Sequence, residues 1–495
     1  MCMKIVIIGA GTSGLAAAAL LDNYWGDKVD ISLYYDPNNK NIAVGEGTTP
    51  QFVSGLCQRL GYQIDDAIRD LDATIKLGVR FKNWIPGKEY FHGFGQLGRD
   101  DKYDDNISSI YAILNDCFIG GANHTGPTTT LPNTGFIDYD LAFHIETQTL
   151  SDFLFNHLQD SINIIPDVVE EVISDGNNIQ AVRCKDSGLV EADFWVDASG
   201  FSAILLNKLN PEWVDISEHL PIDRAIPQQV PNNSGEIPSY TLSEATKNGW
   251  IWTIPTQNRL GTGYLYSSKF TTDDEAREDY NKWLIDNHGV ELQTDRIISY
   301  KPGHWKDVWI GNCFAVGLSC GFVEPLESLG HHYLVFMLEM FTSLNSSLKM
   351  LDYNRDRVNQ VQKQIWEDCI NFLGLHYCTN RTDSPFWRYM TDHKTHWVKT
   401  VEEKCNKEFL DVFLSDDMLN FWDHDSYTQI MNGLQMFNKQ SIRDFVDSRL
   451  DSDEIYKDSE QQYNEILAAK QAVGRISHKE VLETIKGLST LPYLT

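Results

Sequence analysis

A glycine-rich segment near the start of the chain has the spacing of a nucleotide-binding turn. Residues 9–14 fit the pattern G-x-G-x-x-G. In this pattern the first glycine permits a tight turn, the second lets the backbone approach a pyrophosphate, and the third lets a helix pack closely on a strand. The helix N-terminus after such a turn offers N–H groups to phosphates. The segment therefore predicts a dinucleotide site formed by Gly9, Ala10, Gly11, Thr12, Ser13 and Gly14.

Two tryptophans further along the chain have a spacing that could shape a binding surface. Residues 249–255 read Gly-Trp-Ile-Trp-Thr-Ile-Pro. Side chains alternate along a strand, so Trp250 and Trp252 point to the same face and form a rigid indole wall. Pro255 ends regular pairing. Such a wall could hold a planar group or separate two compartments, although a bare W-x-W pair is more typical of two core residues in a half-buried strand.

The elements that position the glycine-rich turn lie on both sides of it. The run Lys4 to Ile8 predicts a buried parallel strand, and the alanine-rich run Leu15 to Leu21 predicts the start of a helix. A second strand is predicted from Val29 to Tyr35. It should end near an acid that bonds the adenosine ribose, and Asp36 lies at close to the expected spacing of about 20 residues.

Several segments together resemble the signature of flavin-dependent halogenases. Residues 249–255 match G-W-x-W-x-I-P, and residues 322–330 (F-V-E-P-L-E-S-L-G) closely resemble F-V-E-P-L-E-S-T-G. Residues 43–50 are similar to the family's flavin loop, G-V-G-E-x-T-x-P. The resemblance spans residues 1 to 390 and fades afterwards. One departure is that the family's ribose acid tends to lie one place earlier, where this chain has Tyr35.

The resemblance implies catalytic roles for two residues and a halide site. Lys76 occupies the position of the catalytic lysine, although alternation along its strand predicts a solvated surface lysine. Glu327 is expected to stabilise the cationic ring intermediate and to help remove its proton. The halide is expected on backbone N–H groups after Ser328, at Leu329 and Gly330. Leu329 replaces the family's threonine, which removes a hydroxyl group.

Further residues are implied on the cofactor side and on the substrate side. A structural role for His92 stays open beside a substrate role. The cofactor side adds Val44, Gly45, Glu46, Gly317 and Leu318 to the turn and Asp36. The substrate or tunnel side comprises His92, Phe94, Trp250, Trp252, Ile254, Pro255 and Ser328.

The implied function is that of a halogenase that depends on reduced FAD. Reduced FAD from a separate flavin reductase, O2 and a halide ion would give hypohalous acid, which halogenates an electron-rich small aromatic of the indole or phenol type. A homo-oligomer is compatible with the resemblance. Two alternatives stay open: an FAD-dependent aromatic monooxygenase, which needs no lysine at position 76, and a non-catalytic flavoprotein that binds redox partners.

The implied fold is α/β (α+β), a three-layer FAD-binding flavoprotein of the aromatic-hydroxylase type with an added β-sheet and a C-terminal helical region. We expect an FAD-binding domain from residues 1–215 and 290–345. The substrate-side sheet with the tryptophan motif is expected at 216–289. A mainly helical region that helps to form the substrate pocket is expected at 346–495.

The composition excludes several classes of partner. The chain has 41 basic and 70 acidic residues, a formal net charge of −29. Such a field repels phosphate backbones and anionic membranes, so neither nucleic acid nor a membrane is expected as a partner. The nine cysteines include no C-x-x-C pair, which argues against a zinc or other metal site and favours the reduced cytoplasm. The acidity suits a marine or phage-encoded family member.

Overall fold

A computed structural model of the chain describes residues 2–38, 46–94, 130–132, 141–405, 421–422, 424–472 and 475–487. Two compact units are present, and each is assembled from three stretches of chain. The stretches of the first unit are Met1–Ala73, Phe143–Ser217 and Ser299–Trp366. Those of the second unit are Thr74–Ala142, Glu218–Ile298 and Glu367–Thr495.

The first unit is built on a six-stranded sheet that contains the strands on either side of the glycine-rich turn. Its neighbouring strands run parallel, except that Trp309–Ile310 pairs antiparallel with Cys313–Ala315. Parallel strands of this kind are buried on both faces, which explains their apolar runs. The strand order is Trp309–Ile310, Cys313–Ala315, Phe194–Asp197, Met3–Ile8, Val29–Tyr35 and Asn163–Pro166.

Smaller sheets and helices complete the first unit. The helix Thr12–Trp25 follows the glycine-rich turn, and the alanine-rich run within it is buried. Two three-stranded sheets consist of Val169–Ser174, Ile179–Cys184 and Gly188–Val190, and of Trp213–Asp215, Gly303–Trp305 and Gly321–Phe322. The other helices are Pro50–Phe52, continued as a π-helix over Val53–Gln58, then Ile64–Asp70, Thr147–Leu158 and Leu329–Leu344.

One buried carboxylate joins the turns at the carboxyl edge of the large sheet. Asp197 Oδ1 accepts hydrogen bonds from the Ser199 backbone at 3.0 Å, the Ser199 hydroxyl at 2.6 Å and the Ser319 hydroxyl at 3.2 Å. Asp197 Oδ2 accepts from the backbone N–H groups of Leu205 at 2.8 Å and Leu206 at 2.9 Å. The turns around the predicted nucleotide site therefore share one anchor.

The second unit is organised around a larger, mainly antiparallel sheet. Six of its strands lie wholly within this unit, and one neighbouring pair, Thr241–Ala245 with Gly78–Lys82, is parallel. The helix Asp273–His288 packs on this sheet, with Tyr280 and Leu284 in a shared core with Ile251. The strand order is Arg224–Pro231, Arg259–Tyr266, Gly249–Pro255, Thr241–Ala245, Gly78–Lys82 and Glu89–Gly93.

The remaining elements of the second unit are mostly helices. The short strand Thr74–Lys76 carries the predicted catalytic lysine, and Thr130–Pro132 pairs with Arg475–Ser477. The long helix Asp352–His376 contributes residues to both units. The other helices are Pro385–Asp392, His396–Cys405, His424–Gly433, Lys439–Asp447, Ser452–Ala472 and His478–Gly487.

The mixed architecture agrees with the predicted α/β (α+β) class. The predicted division into an FAD-binding domain, a substrate-side sheet and a helical region stays a prediction, because compact units and functional domains need not coincide. Within the described part of the chain, no helix combines enough length and apolar character to span a bilayer.

The Asp197 network generates a stability prediction. In Asp197→Asn one acceptor oxygen becomes an amide donor that faces N–H or O–H donors. We expect the first unit to lose at least about 2 kcal/mol of unfolding free energy, because hydrogen bonds to a charged acceptor are each worth about 1.5–3 kcal/mol. Scanning calorimetry should show a lower transition temperature for this variant than for the wild type.

Asp193→Asn is the matched control, directly before the opposite end of the same strand. The Asp193 carboxylate accepts a single exposed backbone hydrogen bond, from Lys4 at 2.7 Å. Replacement of Asp193 should change the unfolding transition temperature only slightly. Equal shifts for the two variants would show that Asp197 is not the anchor of these turns.

Candidate active site

The glycine-rich turn has the close packing that a nucleotide cradle needs. At Gly9, φ is +113°, and an added Cβ would lie 2.2 Å from the Ala198 carbonyl oxygen. An added Cβ at Gly14 would lie 1.9 Å from the Gly9 carbonyl oxygen. The helix Thr12–Trp25 begins after Gly11, which offers no capping side chain, and its first turn contains no acid. A phosphate can therefore approach these amides without a competing carboxylate.

Two further features of the first unit fit a bound dinucleotide. The residues Gly317–Ser319, which include Leu318, form a 3₁₀ turn, and an added Cβ at Gly317 would lie 2.1 Å from Ser13 Oγ. The Thr49 hydroxyl is buried and has no hydrogen-bond partner among the described residues. Buried hydroxyl groups normally have a partner, so a ligand atom at Thr49 would satisfy one that the chain leaves open.

The adenosine side of the site is described in part. Asp36 directly follows the strand Val29–Tyr35, and its Oδ1 accepts from the Asn38 backbone N–H at 2.8 Å and the Asn38 side-chain amide at 3.2 Å. The carboxylate therefore closes its own turn, and its role toward a ribose stays a prediction. Val44 and Gly45 lie outside the described residues.

An ion pair links the predicted flavin loop to the predicted halide helix. His331 Nε2 lies 2.7 Å from Glu46 Oε2, and the Thr147 hydroxyl donates to Glu46 Oε1 at 3.1 Å. Desolvation alone would raise the pKa of Glu46, but the charge and hydrogen bond of His331, with the bond from Thr147, lower it overall. No sequence motif indicated His331, whose partner is remote in the chain.

The predicted halide turn carries backbone strain. Ser328 has φ +58° and ψ 30°, a left-handed conformation that costs a non-glycine residue on the order of 1–3 kcal/mol and that occurs often at functional sites. It precedes the helix Leu329–Leu344, whose first turn contains no acid. Gly330 is exposed, and an added Cβ there would meet no atom within 4 Å. An anion can therefore approach the start of this helix.

Two acids stand immediately before this turn. Glu324 and Glu327 are each 1% exposed. A buried carboxyl group is costly unless other groups compensate its charge, and such groups are often functional. The sequence resemblance assigned a role to Glu327 alone, so Glu324 is an additional buried acid in the first unit.

In the second unit, the predicted catalytic lysine is fully buried. Lys76 has an exposed fraction of 0%, and its neighbour Ile75 is 2% exposed. The prediction of a solvated surface lysine from strand alternation is therefore wrong, because this short strand is covered on both faces. Lys76 Nζ lies 5.1 Å from the centre of the Phe94 ring, within the range of a cation–π interaction.

The tryptophan motif is tied to the lysine strand. The rings of Trp250 and Trp252 make an edge contact with centroids 6.5 Å apart. The Trp252 ring covers Gly263 on the neighbouring strand, where an added Cβ would lie 2.1 Å from it. At the end of the motif, the Pro255 carbonyl accepts a hydrogen bond from the Thr74 hydroxyl at 2.6 Å. Both tryptophans and Ile254 are buried.

His92 joins a strand to a helix of the C-terminal region. His92 Nε2 lies 3.0 Å from the Ser426 hydroxyl, and the ring makes edge contacts with Phe94 and Phe372 at centroid distances of 6.5 and 6.0 Å. These contacts account for the buried histidine structurally. Its role toward a substrate stays a prediction.

A buried acid anchors the same C-terminal region. Asp368 accepts the Phe421 backbone N–H at 3.0 Å and the Tyr427 hydroxyl. Burial raises the pKa of Asp368 to about 6 despite these hydrogen bonds. The nearby Trp422 ring stacks on Phe372 with centroids 4.6 Å apart. The sequence contained no motif that fixed these contacts.

Among the described residues, no group of three or more His, Cys, Asp or Glu side chains is placed to hold a metal ion.

Comparison with known sequences decides the family. The tryptophan halogenase family model matches residues 4–448. The tryptophan 7-halogenase RebH of Lentzea aerocolonigenes is 30% identical over 485 residues, which cover 87% of this chain and 89% of that protein. The chain belongs to the tryptophan halogenase family. The tryptophan 6-halogenase ThaL of Streptomyces albogriseolus is 28% identical over 88% of this chain and 90% of that protein.

Solved structures of halogenases share the fold. Tar14, a tryptophan C-6 flavin-dependent halogenase from taromycin biosynthesis, superposes with a TM-score of 0.85 at 26% identity, covering 98% of this chain and 100% of that one. Xcc4156, a flavin-dependent halogenase from Xanthomonas campestris, gives 0.83 at 25% identity, covering 99% and 100%. Membership of the tryptophan halogenases confirms the predicted fold class, an enzyme dependent on reduced FAD, and the use of O2, halide and a separate flavin reductase.

The packing of Trp252 on Gly263 generates a prediction for this halogenase. Gly263→Ala places a methyl group where the indole lies, so Trp252 must move. We expect a loss of about 1–3 kcal/mol of unfolding free energy, the usual cost of overpacking, and a change in the near-ultraviolet circular dichroism of tryptophan. Gly374→Ala is the control, because its nearest neighbour is a Val398 methyl group at 3.3 Å. Identical spectra for Gly263→Ala and the wild type would contradict the tight packing.

Proposed function

We propose that this halogenase acts on a small, electron-rich aromatic compound of the indole or phenol type, and that Lys76 delivers the oxidant to it. The observation that carries the proposal is the burial of Lys76 at 0% exposure against the Phe94 ring. Lysine is rarely fully buried in proteins, and buried ionisable groups cluster at functional sites, so this amine is a candidate functional group.

Reduced FAD, when bound, would supply the two electrons that activate O2, and O2 is the oxidant. The net reaction would consume reduced FAD, O2, a halide ion and a proton, and it would yield oxidised FAD, water and one hypohalous acid molecule. In the net halogenation that follows, an aromatic C–H bond is replaced by a carbon–halogen bond, and the displaced proton leaves with the hydroxyl oxygen as water.

The first unit supplies groups for the cofactor and the halide. The glycine-rich turn would hold the pyrophosphate on the amides that begin the helix Thr12–Trp25. The backbone N–H groups of Leu329 and Gly330 would hold the halide, because the positive end of a helix dipole attracts anions. Glu327 would stabilise the cationic ring intermediate and accept its proton.

The second unit supplies the amine that captures hypohalous acid. As an ammonium group, Lys76 would donate a hydrogen bond to the oxygen and make the halogen more electrophilic. As a free amine, it would form an N–halogen bond with loss of water and then pass the halogen to the ring. Complete burial of the side chain favours either route, since water is excluded from the capture step.

The alternative of an aromatic monooxygenase is not favoured. The matched family consists of halogenases, and a hydroxylation reaction has no use for a buried amine. Turnover of an indole and phenol panel with reduced FAD separates the two functions. A halogenase gives a modified product only when halide is present, and a monooxygenase gives hydroxylated product without halide.

The first test concerns Lys76→Ala. This variant should lose aromatic halogenation by at least about 100-fold, because positioning and activation are lost with one side chain. FAD binding and flavin reoxidation should persist, and hypohalous acid should appear in a thiol trapping assay. The control is Lys82→Ala, whose amine is partly exposed and pairs with Glu244 at 3.0 Å. Near wild-type halogenation by Lys76→Ala would contradict the proposed role of Lys76.

The second test concerns halide preference. Leu329 is buried where the family carries threonine, so the halide turn lacks a hydroxyl group. We expect turnover with bromide or iodide to exceed turnover with chloride, because larger halides lose hydration more easily. Leu329→Thr should shift competition assays toward chloride. Leu326→Thr, at another buried leucine of the same segment, should lower turnover with all halides alike. A wild type that prefers chloride would contradict the idea.

A further inference from the structure

A histidine near the end of the chain fastens the lysine strand. His478 Nε2 lies 3.0 Å from the backbone nitrogen of Ile75, the residue before Lys76. His478 Nδ1 lies 3.1 Å from the Ile237 carbonyl oxygen. A backbone N–H can only donate and a carbonyl can only accept, so Nε2 is the acceptor and Nδ1 carries the proton. These two contacts hold the ring in a single neutral tautomer.

The surroundings of His478 preserve that tautomer. The side chain has an exposed fraction of 0%, and burial lowers its pKa to about 4. Protonation would place a second N–H group against the Ile75 N–H. At neutral pH the ring therefore stays an acceptor for the lysine strand.

A glutamine fixes the aromatic ring next to the same amine. The Gly93 N–H donates to Gln429 Oε1 at 2.8 Å, and Gln429 Nε2 donates to the Gly93 carbonyl at 3.2 Å. Gly93 directly precedes Phe94, whose ring lies 5.1 Å from Lys76 Nζ. The Phe94 N–H donates in turn to the Leu77 carbonyl at 2.9 Å. The glutamine therefore sets the backbone from which this ring extends.

We infer that His478 and Gln429 are positioning residues for Lys76, His478 by fixing the strand that carries the amine and Gln429 by fixing the ring beside it. The inference rests on the proposed role of Lys76. It gives a function to the chain beyond residue 390, where no sequence motif indicated contacts. A lysine amine ends a flexible stem, so its reach depends on a fixed backbone, and a misplacement of about 1 Å can cost about 100-fold in rate.

Two amide replacements of the histidine form the test. In His478→Asn the amide group reaches the place of Nδ1, so the bond to Ile237 is kept and the bond to Ile75 is lost. In His478→Gln the longer side chain brings an acceptor oxygen to the place of Nε2. The measurement is the amount of halogenated aromatic formed for each hypohalous acid molecule produced, with escaped acid counted by a thiol trap.

A positioning role predicts a separation of the two yields. In His478→Asn the halogenated product per hypohalous acid molecule should fall by about tenfold, while flavin reoxidation stays at the wild-type rate. His478→Gln should recover most of the halogenated product. Gln429→Leu should lower the product per hypohalous acid molecule about as much as His478→Asn does. His304→Phe is the control for loss of a buried histidine, because His304 lies in the first unit and stacks on Trp366. It should leave the ratio unchanged.

A second readout needs neither cofactor nor turnover. Hydrogen exchange of the apoprotein, measured by mass spectrometry, should show faster exchange in the peptide that contains the Ile75 amide in His478→Asn and restored protection in His478→Gln.

The outcomes separate this inference from the proposed function. An unchanged product ratio in His478→Asn, with Lys76→Ala releasing its hypohalous acid, overturns the positioning role alone. A wild-type product ratio in Lys76→Ala overturns the role of the lysine itself. If His478→Asn does not fold, Gln429→Leu carries the same comparison, and an unchanged ratio there overturns the inference.

Discussion

The burial of one primary amine is the constraint on which the proposed substrate side of this halogenase depends. Removing an ammonium group from water is costly, and an uncharged amine still requires hydrogen-bond partners. The strand that carries Lys76 is therefore held by hydrogen bonds and a ring contact that a solvent-exposed strand would not require. The Thr74 hydroxyl reaches the end of the tryptophan motif, Ile75 meets His478, and the Phe94 ring face lies beside Lys76 Nζ. Together these contacts give a reactive group one fixed location.

The proposed constraint on the first unit is different, because its backbone amides must be presented to anions. The glycine-rich turn and the predicted halide turn both begin a helix whose first turn contains no acid. Close approach of backbones makes this possible at Gly9 and Gly14, and the Asp197 carboxylate holds the turns on the edge of the sheet. The pair of Glu46 with His331 connects the predicted flavin loop to the helix that follows the predicted halide turn. In this proposal the anion sites are formed by main-chain N–H groups, and the side chains of Glu46 and His331 are held near them by their mutual contact.

The sequence predicted the local features well and the remote ones poorly. The strand Val29–Tyr35 and the adjacent rings of Trp250 and Trp252 follow from periodicity, which depends on neighbouring residues. Strand alternation failed at Lys76, because it assumes that one face of a strand is solvated. The bond of His478 to Ile75 joins residues far apart in the chain, and no spacing pattern encodes it. The roles of Lys76 and Glu327 came from family resemblance, since their residue types alone are uninformative.

If Lys76 captures the oxidant as proposed, hypohalous acid is used inside the protein, at the buried amine, and is not released first. The most direct measurement is halogenation by the wild-type enzyme with increasing concentrations of a water-soluble thioether that scavenges hypohalous acid. Reduced FAD, O2, halide and the aromatic substrate are held constant. Capture at Lys76 predicts a yield of halogenated product that does not depend on scavenger concentration. A yield that falls steadily as scavenger is added would mean that free hypohalous acid halogenates the substrate in solution, which would contradict the account.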